Sequence, residues 1–212
     1  MNSQIRIICF DLGGVLVRIC RTWAQGCHAA GVPIHDGADD PQFLVDRRDL
    51  NLEYQAGQLE PMEFFDRLSV STDGLYSPGD VKRVHNAWLL GEYPGVAELV
   101  QRLNALPRIA TACLSNTDDL HWGQMIRGFP AVAELRHRHA SHLLGICKPD
   151  LAIFAAFEDL VKAQPHEIAF FEDSVENVEA ARSAGWSAHL VDHTQDTAPQ
   201  ISTVLKTLGI LT

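Results

Sequence analysis

Apolar positions in this chain fall into short, predominantly apolar runs separated by amphipathic stretches. Ile5 to Phe10, Ile109 to Leu114, Ile168 to Phe171 and Ala188 to Val191 are such runs, each bounded by turn residues, and a further strand is expected near Arg138 to His142. Short continuous runs of this kind read as strands buried on both faces. Helical spacing lies between them: Gly95 to Leu106, Asp118 to Ile126, Asp150 to Lys162, Val175 to Ala184 and a closing helix near Ile201 to Leu208. Strands alternating with helices signal parallel strands joined by crossover helices. The predicted fold class is therefore α/β, a Rossmann-like doubly wound parallel sheet.

From Thr22 to Gly91 the periodicity is helical throughout. The segments are Trp23 to Ala30 closed by Gly31, Pro41 to Ala56 closed by Gly57, Pro61 to Leu68, and Pro78 to Leu90 closed by Gly91. Proline at the first helical position and glycine just past the end are the expected punctuation. No convincing strand interrupts the stretch. The pattern predicts a small inserted helical domain, residues 18–92, within a core of residues 1–17 and 93–212. Trp23, Phe43, Phe64, Phe65 and Trp88 would form the insert's core, with one or two lining a substrate face.

Three strand-like runs end in polar residues suited to chemistry. Ile5 to Phe10 breaks into Asp11 and the pair Gly13-Gly14, Ile109 to Leu114 into Ser115-Asn116-Thr117, and Ile168 to Phe171 into Glu172-Asp173-Ser174, with Lys148-Pro149-Asp150 between the last two. In an open parallel sheet, ligands bind in the crevice outside the carboxyl ends of the strands, and a double glycine lets the backbone approach an anion. A nucleophilic aspartate, a hydroxyl, a lysine and an acidic pair thus occur in an order that one crevice could collect. Glu172 and Asp173, with Asp11, are oxygen ligands of the type a hard divalent cation prefers. A plainer role for Ser174 is a helix cap paired with Asn177.

These motifs, Phe10-Asp11-Leu12-Gly13-Gly14-Val15, Leu114-Ser115-Asn116-Thr117, Lys148-Pro149-Asp150 and Glu172-Asp173-Ser174, resemble those of the haloacid dehalogenase-like (HAD) hydrolase superfamily. The resemblance spans the chain and is closest to alpha-glucose-1-phosphatase-like sugar phosphatases, whose Leu-Ser-Asn-Thr segment is likewise soon followed by Leu-His, here Leu120-His121. It implies a HAD-like core with a helical cap, Asp11 as nucleophile, and Ser115 and Lys148 holding the transferring phosphoryl group. Leu12, Gly13 and Asn116 join them in binding substrate, with Asn116 and Thr117 supplying turn chemistry and Thr117 able to cap the next helix. It also implies Mg²⁺ held by Asp11, the carbonyl oxygen of Gly13 and Asp173, with Glu172 acting directly or through water.

One departure is chemical. Most phosphatases of the family carry a second aspartate two positions after the nucleophile, where this chain has Gly13. That carboxylate protonates the leaving oxygen, help worth about 10²–10⁴ in rate, and His121 and Arg18 are nearby candidates to substitute. The readings are a Mg-dependent phosphatase of a small phosphorylated metabolite, a 2-haloacid dehalogenase, or a phosphate-binding regulatory module without turnover. Substrate choice is assigned to cap loops such as Tyr54-Gln55-Ala56-Gly57.

Charge and cysteine usage narrow the setting. With 17 Lys+Arg against 27 Asp+Glu the formal net charge is -10, which disfavours nucleic acid or an anionic membrane surface and leaves a small phosphate ester as partner. Five cysteines without Cys-x-x-Cys spacing, and no signal or membrane-spanning pattern, point to a cytoplasmic protein. Cys9 and Cys113 read as core packing, and Cys147 beside Lys148 as the one thiol with a reason to ionise. His137, His139 and His142 suggest an exposed or edge strand rather than a metal site.

Overall fold

The computed structural model describes residues 4–37 and 41–212. The four apolar runs and the further expected strand form one parallel sheet. Its strands are β1 (Ile7–Phe10), β4 (Ala110–Ser115), β5 (His137–Ala140), β6 (Ile168–Glu172) and β7 (Ser187–Leu190), in the order β5-β4-β1-β6-β7. β1 is central, so Asp11 emerges from the middle of the sheet.

Alternation along β1 feeds two separate cores, because successive strand side chains point to opposite faces. Ile8 and Phe10 pack with α5 (Val96–Asn104) and α11 (Thr197–Thr207), joined by Met125 of α6 (Asp119–Gly128) and Val132 of the short α7 (Pro130–Ala133). Ile7 and Cys9 face the other way, against α9 (Leu151–Val161) and α10 (Val175–Ser183), where Trp186 meets Phe154 and Phe170 edge to face and Phe157 at a tilt. Helices on both faces make the sheet doubly wound, as the sequence pattern predicts.

The helical insert has a third core. It contains α1 (Trp23–Ala30), α2 (Pro41–Gln55), α3 (Pro61–Ser71) and α4 (Pro78–Asn86), which enclose Trp23, Phe43, Tyr54, Phe64, Phe65 and Tyr76. The punctuation acts as expected: Gly31 turns left-handed (φ 64°) to end α1, Pro61 and Pro78 sit in the first turns of α3 and α4, and Ser77 with Asp80 closes a capping box.

The insert is not wholly helical, which corrects the reading of Pro78 to Leu90. α4 stops at Asn86, and β3 (Leu89–Glu92) pairs antiparallel with β2 (Val17–Ile19). The Cys20 N–H also donates to the Trp88 carbonyl at 2.9 Å. The apolar Trp88-Leu89-Leu90 suits a helix equally well in isolation; a strand partner from far away in sequence decides the outcome. The short helix α8 (Ser141–Leu144) was also not foreseen. β5 is an edge strand, with the His137 and His139 rings on one face and His139 against Phe157. Among the described residues no helix is long and apolar enough to cross a membrane.

Candidate active site

The crevice at the carboxyl ends of β1, β4 and β6 brings the motif residues together. The ammonium of Lys148 lies 2.8 Å from Asp11 Oδ1 and 2.6 Å from Glu172 Oε2, and all three side chains are buried. Burial opposes the charge on Lys148, but attraction to both carboxylates outweighs it and raises its pKa. Burial pushes the Asp11 carboxyl up to about 6 as Glu172 adds repulsion, while Lys148 and a hydrogen bond from Ser115 pull it down. Asp11 is thus largely ionised near neutrality yet poorly solvated, a combination that favours nucleophilic attack.

Asn116 does more than shape a turn. Its amide donates to the Lys148 carbonyl at 2.8 Å and its oxygen accepts from the Lys148 N–H at 2.8 Å, clamping the lysine backbone to the end of β4. Glu172 is similarly committed. One oxygen accepts from the backbone N–H groups of Asp173 and Ser174 at 3.0 and 3.1 Å, and the other holds Lys148 and Asn177 Nδ2. Ser174 caps α10 by accepting from the Asn177 N–H. Leu12 is fully buried in the core, and its carbonyl accepts from three following N–H groups, so only its backbone N–H remains for a ligand.

Asp173 has two basic side chains beside it that the sequence reading missed. Arg21 Nη1 lies 2.8 Å from Asp173 Oδ2, and His193 Nδ1 lies 3.5 Å from the same oxygen. The stretch His193 to Asp196 therefore forms one wall of the site, anchored where the Tyr93 hydroxyl donates to the His193 carbonyl at 2.7 Å. Gly14 makes the close approach possible: its φ is 90°, and a Cβ there would run into the Asp173 carboxylate and the Arg21 guanidinium. Arg18, Arg21 and His193 line an open groove of about 890 Å³. Arg18 thus lies on a different wall from Ser115.

A second buried cluster joins the insert to the core. Asp118, rather than Thr117, caps α6, its Oδ1 accepting from the N–H groups of Leu120 and His121. Its Oδ2 lies 3.1 Å from both His85 Nε2 and His121 Nδ1, and His121 Nε2 donates to the His85 carbonyl at 2.7 Å. The two imidazoles stack with centroids 3.8 Å apart. Burial disfavours charge on both rings; Asp118 overcomes this at His121, whose pKa is raised, but not at His85, whose pKa is lowered. With acceptors facing both of its nitrogens, the protonated form of His121 is favoured. Thr117 instead donates its N–H to Ser141 Oγ. Cys147 does not gain thiolate character, because burial outweighs Lys148 and raises its pKa. The five cysteines are free thiols.

Between insert and core lies a partly open cavity of about 140 Å³. Gly13, Ser115 and Asn116 form its floor, and Trp23, Phe64 and Trp88 contribute to its roof.

The family model of the haloacid dehalogenase-like hydrolases matches residues 5–185. The chain belongs to that family. A predicted HAD-like hydrolase from Porphyromonas gingivalis has a similar structure (TM-score 0.78, 24% identity, covering 96% of this chain and 99% of that one). So does a HAD family enzyme, bt-2542 from Bacteroides thetaiotaomicron, solved in complex with magnesium and inorganic phosphate (TM-score 0.72, 22% identity, 91% and 96%). Mouse acyl-CoA dehydrogenase family member 10 is 26% identical over 225 residues, covering 96% of this chain; the chain spans only 19% of that relative's length. As a HAD-like hydrolase, the protein has a family-level reaction type, and its motif residues meet in one crevice.

Proposed function

We propose that this hydrolase is a magnesium-dependent phosphatase of a small phosphorylated metabolite, a sugar phosphate, acting through an aspartyl phosphate on Asp11. The observation that carries the reading is the convergence of Asp11, Glu172 and Asp173, each offering a carboxylate oxygen within 4.8 Å of the others, around one buried lysine. Three hard oxygen donors suit magnesium. Asp11 and Asp173, with the Gly13 carbonyl, are the ligands in this reading, while Glu172, whose oxygens are already engaged, holds Lys148 and the acidic loop in place. When bound, the ion would neutralise charge on the phosphoryl oxygens.

Asp11 attacks phosphorus with a carboxylate oxygen as the ester oxygen departs. Lys148 and Ser115 steady the transferring group, and water then cleaves the aspartyl phosphate to regenerate Asp11. Residues 18–92 act as the cap that keeps bulk water from the crevice during the first displacement. The magnesium and phosphate bound by the similar Bacteroides enzyme support the reading. Dehalogenation at carbon has less support, because it needs no metal and leaves the acidic pair without a task. The test is phosphate release from a panel of sugar phosphates with and without magnesium, alongside halide release from 2-haloacids. Magnesium-dependent phosphate release is expected; halide release alone would reverse the assignment.

A further inference from the structure

Two of the three clustered carboxylates, Asp11 and Glu172, are paired with Lys148. The third, Asp173, is paired with Arg21, whose Nη1 lies 2.8 Å from Asp173 Oδ2, while His193 Nδ1 stands at a longer 3.5 Å from the same oxygen. The two cations are held differently. The Lys148 side chain is 1% exposed and shut in between its partners. That of Arg21 is 33% exposed and lines the open groove of about 890 Å³. A guanidinium placed there can exchange its carboxylate for water readily. The Asp173 side chain is 10% exposed, and a carboxylate so little hydrated needs a cation beside it. Arg21 is therefore the partner that a divalent ion can replace.

Arg21 belongs to the insert. Its N–H donates to Gln25 Oε1 at 2.7 Å, and the Gln25 N–H donates to the N-cap Thr22 Oγ1 at 3.1 Å, so the residue is fixed to the first turn of α1. Its side chain reaches over Gly14 to the core, where a Cβ on Gly14 would meet both the guanidinium and the Asp173 carboxylate. The Arg21–Asp173 pair is thus a tie between α1 and the acidic loop that follows β6.

We propose that Arg21 and magnesium bind Asp173 antagonistically, so that loading the metal loosens the hold of α1 on the core. Two cations on one carboxylate draw on the same negative charge and repel each other. The antagonism is reciprocal: the factor by which Arg21 weakens magnesium binding is the factor by which magnesium weakens the Arg21 tie. Two further ties between insert and core, Tyr54 to Asp119 and His85 to Asp118, contain no residue of the Asp11-Glu172-Asp173 cluster. They keep the insert seated while α1 loosens. This rests on the reading of Asp173 as a magnesium ligand and gives the insert a response to the metal that needs no substrate.

The experiment uses magnesium alone. Calorimetric titration gives the magnesium Kd of the unsubstituted protein, of Arg21→Gln, and of Arg18→Gln, which removes a like charge from the same groove. Arg21→Gln should bind magnesium at least about fivefold more tightly. Arg18→Gln should change the Kd by less than about twofold, because a charge in an open groove is screened. Hydrogen exchange of the α1 amides gives the reciprocal reading. Magnesium should speed it in the unsubstituted protein and leave it unchanged in Arg21→Gln, with the α4 amides unaffected in both. Unchanged or weaker magnesium binding in Arg21→Gln overturns the antagonism, and so does equal tightening by the two substitutions. Magnesium that slows α1 exchange in the unsubstituted protein, or leaves it unchanged, overturns the link to the insert without recourse to any variant. If the unsubstituted protein binds no magnesium, the metal reading fails and the antagonism with it; a magnesium Kd indifferent to Arg21 removes the antagonism alone.

Discussion

The side chain of Ile19 occupies the space that a side chain at Gly13 would enter: a Cβ built on Gly13 comes 3.1 Å from Ile19 Cδ1. The lack of a carboxylate two positions after Asp11 is therefore built into the packing around it. With no acid there, leaving-group departure should depend steeply on leaving-group pKa, with aryl and sugar 1-phosphates outrunning simple alkyl phosphates. Gly13→Asp combined with Ile19→Ala should flatten that dependence, whereas Gly13→Asp alone should fit poorly. Rates across an ester series check both, and a flat series in the unsubstituted enzyme with chemistry rate-limiting would mean that another group donates the proton.

Asp11→Asn should lower turnover below about 10⁻³ of the unsubstituted rate while leaving the circular dichroism spectrum unchanged, because Glu172 still holds Lys148. Near-full phosphate release from this variant would remove Asp11 from the nucleophile role.

Removing the buried cation is a different kind of injury. Lys148→Met leaves Asp11 and Glu172 facing one another without a partner, which should cost about 3–5 kcal/mol of stability. Adding Glu172→Gln should recover part of that loss. Urea denaturation of the three proteins at neutral pH measures it, and a single variant as stable as the parent would contradict the burial of an ion triad.

Gly14→Ala should be far more damaging than Gly13→Ala. The first puts a methyl group at φ 90° into the Asp173–Arg21 pair, and the second asks only Ile19 to yield. Asp173→Ala should weaken magnesium dependence and activity together, since a charged oxygen ligand is lost. Initial rates against magnesium concentration read out all three, and an unaltered metal requirement in Asp173→Ala would argue against its ligand role.

The joint between α4 and α6 should be pH-sensitive. His121 has a raised folded pKa, because Asp118 outweighs burial, so its stabilisation is complete below the ordinary imidazole value and fades as pH rises through the folded one. Asp118, lowered by the two imidazoles against the effect of burial, keeps its contribution until strong acid. His85, depressed chiefly by burial, opposes folding only as pH drops below the ordinary imidazole value. His121→Gln should therefore lose about 1.5–3 kcal/mol at pH 6 and less at pH 9.5. Denaturation midpoints of both proteins at the two pH values give the comparison, and a deficit independent of pH would show that His121 is neutral.

The sheet was legible because four of its five strands fall in predominantly apolar runs that need no partner to be recognised. That Asp11, Ser115, Lys148 and Asp173 would meet in one crevice was legible for a related reason: each follows or neighbours such a run in a short motif. Arg21, His193 and His85 left no comparable trace. Their roles come from partners far away in sequence, His85 to Asp118 across 33 positions, and lone polar residues carry no period. Gln55, assigned to a specificity loop, ends a helix instead.

The β2–β3 ribbon makes the helical insert portable. Its two crossings to the sheet run side by side, with the Cys20 N–H bonded to the Trp88 carbonyl. Cutting just beyond these residues would leave chain ends one hydrogen bond apart, a gap that a two-residue hairpin turn can close. Excising the segment in this way should leave the register of the strand pairs that present Asp11 unchanged.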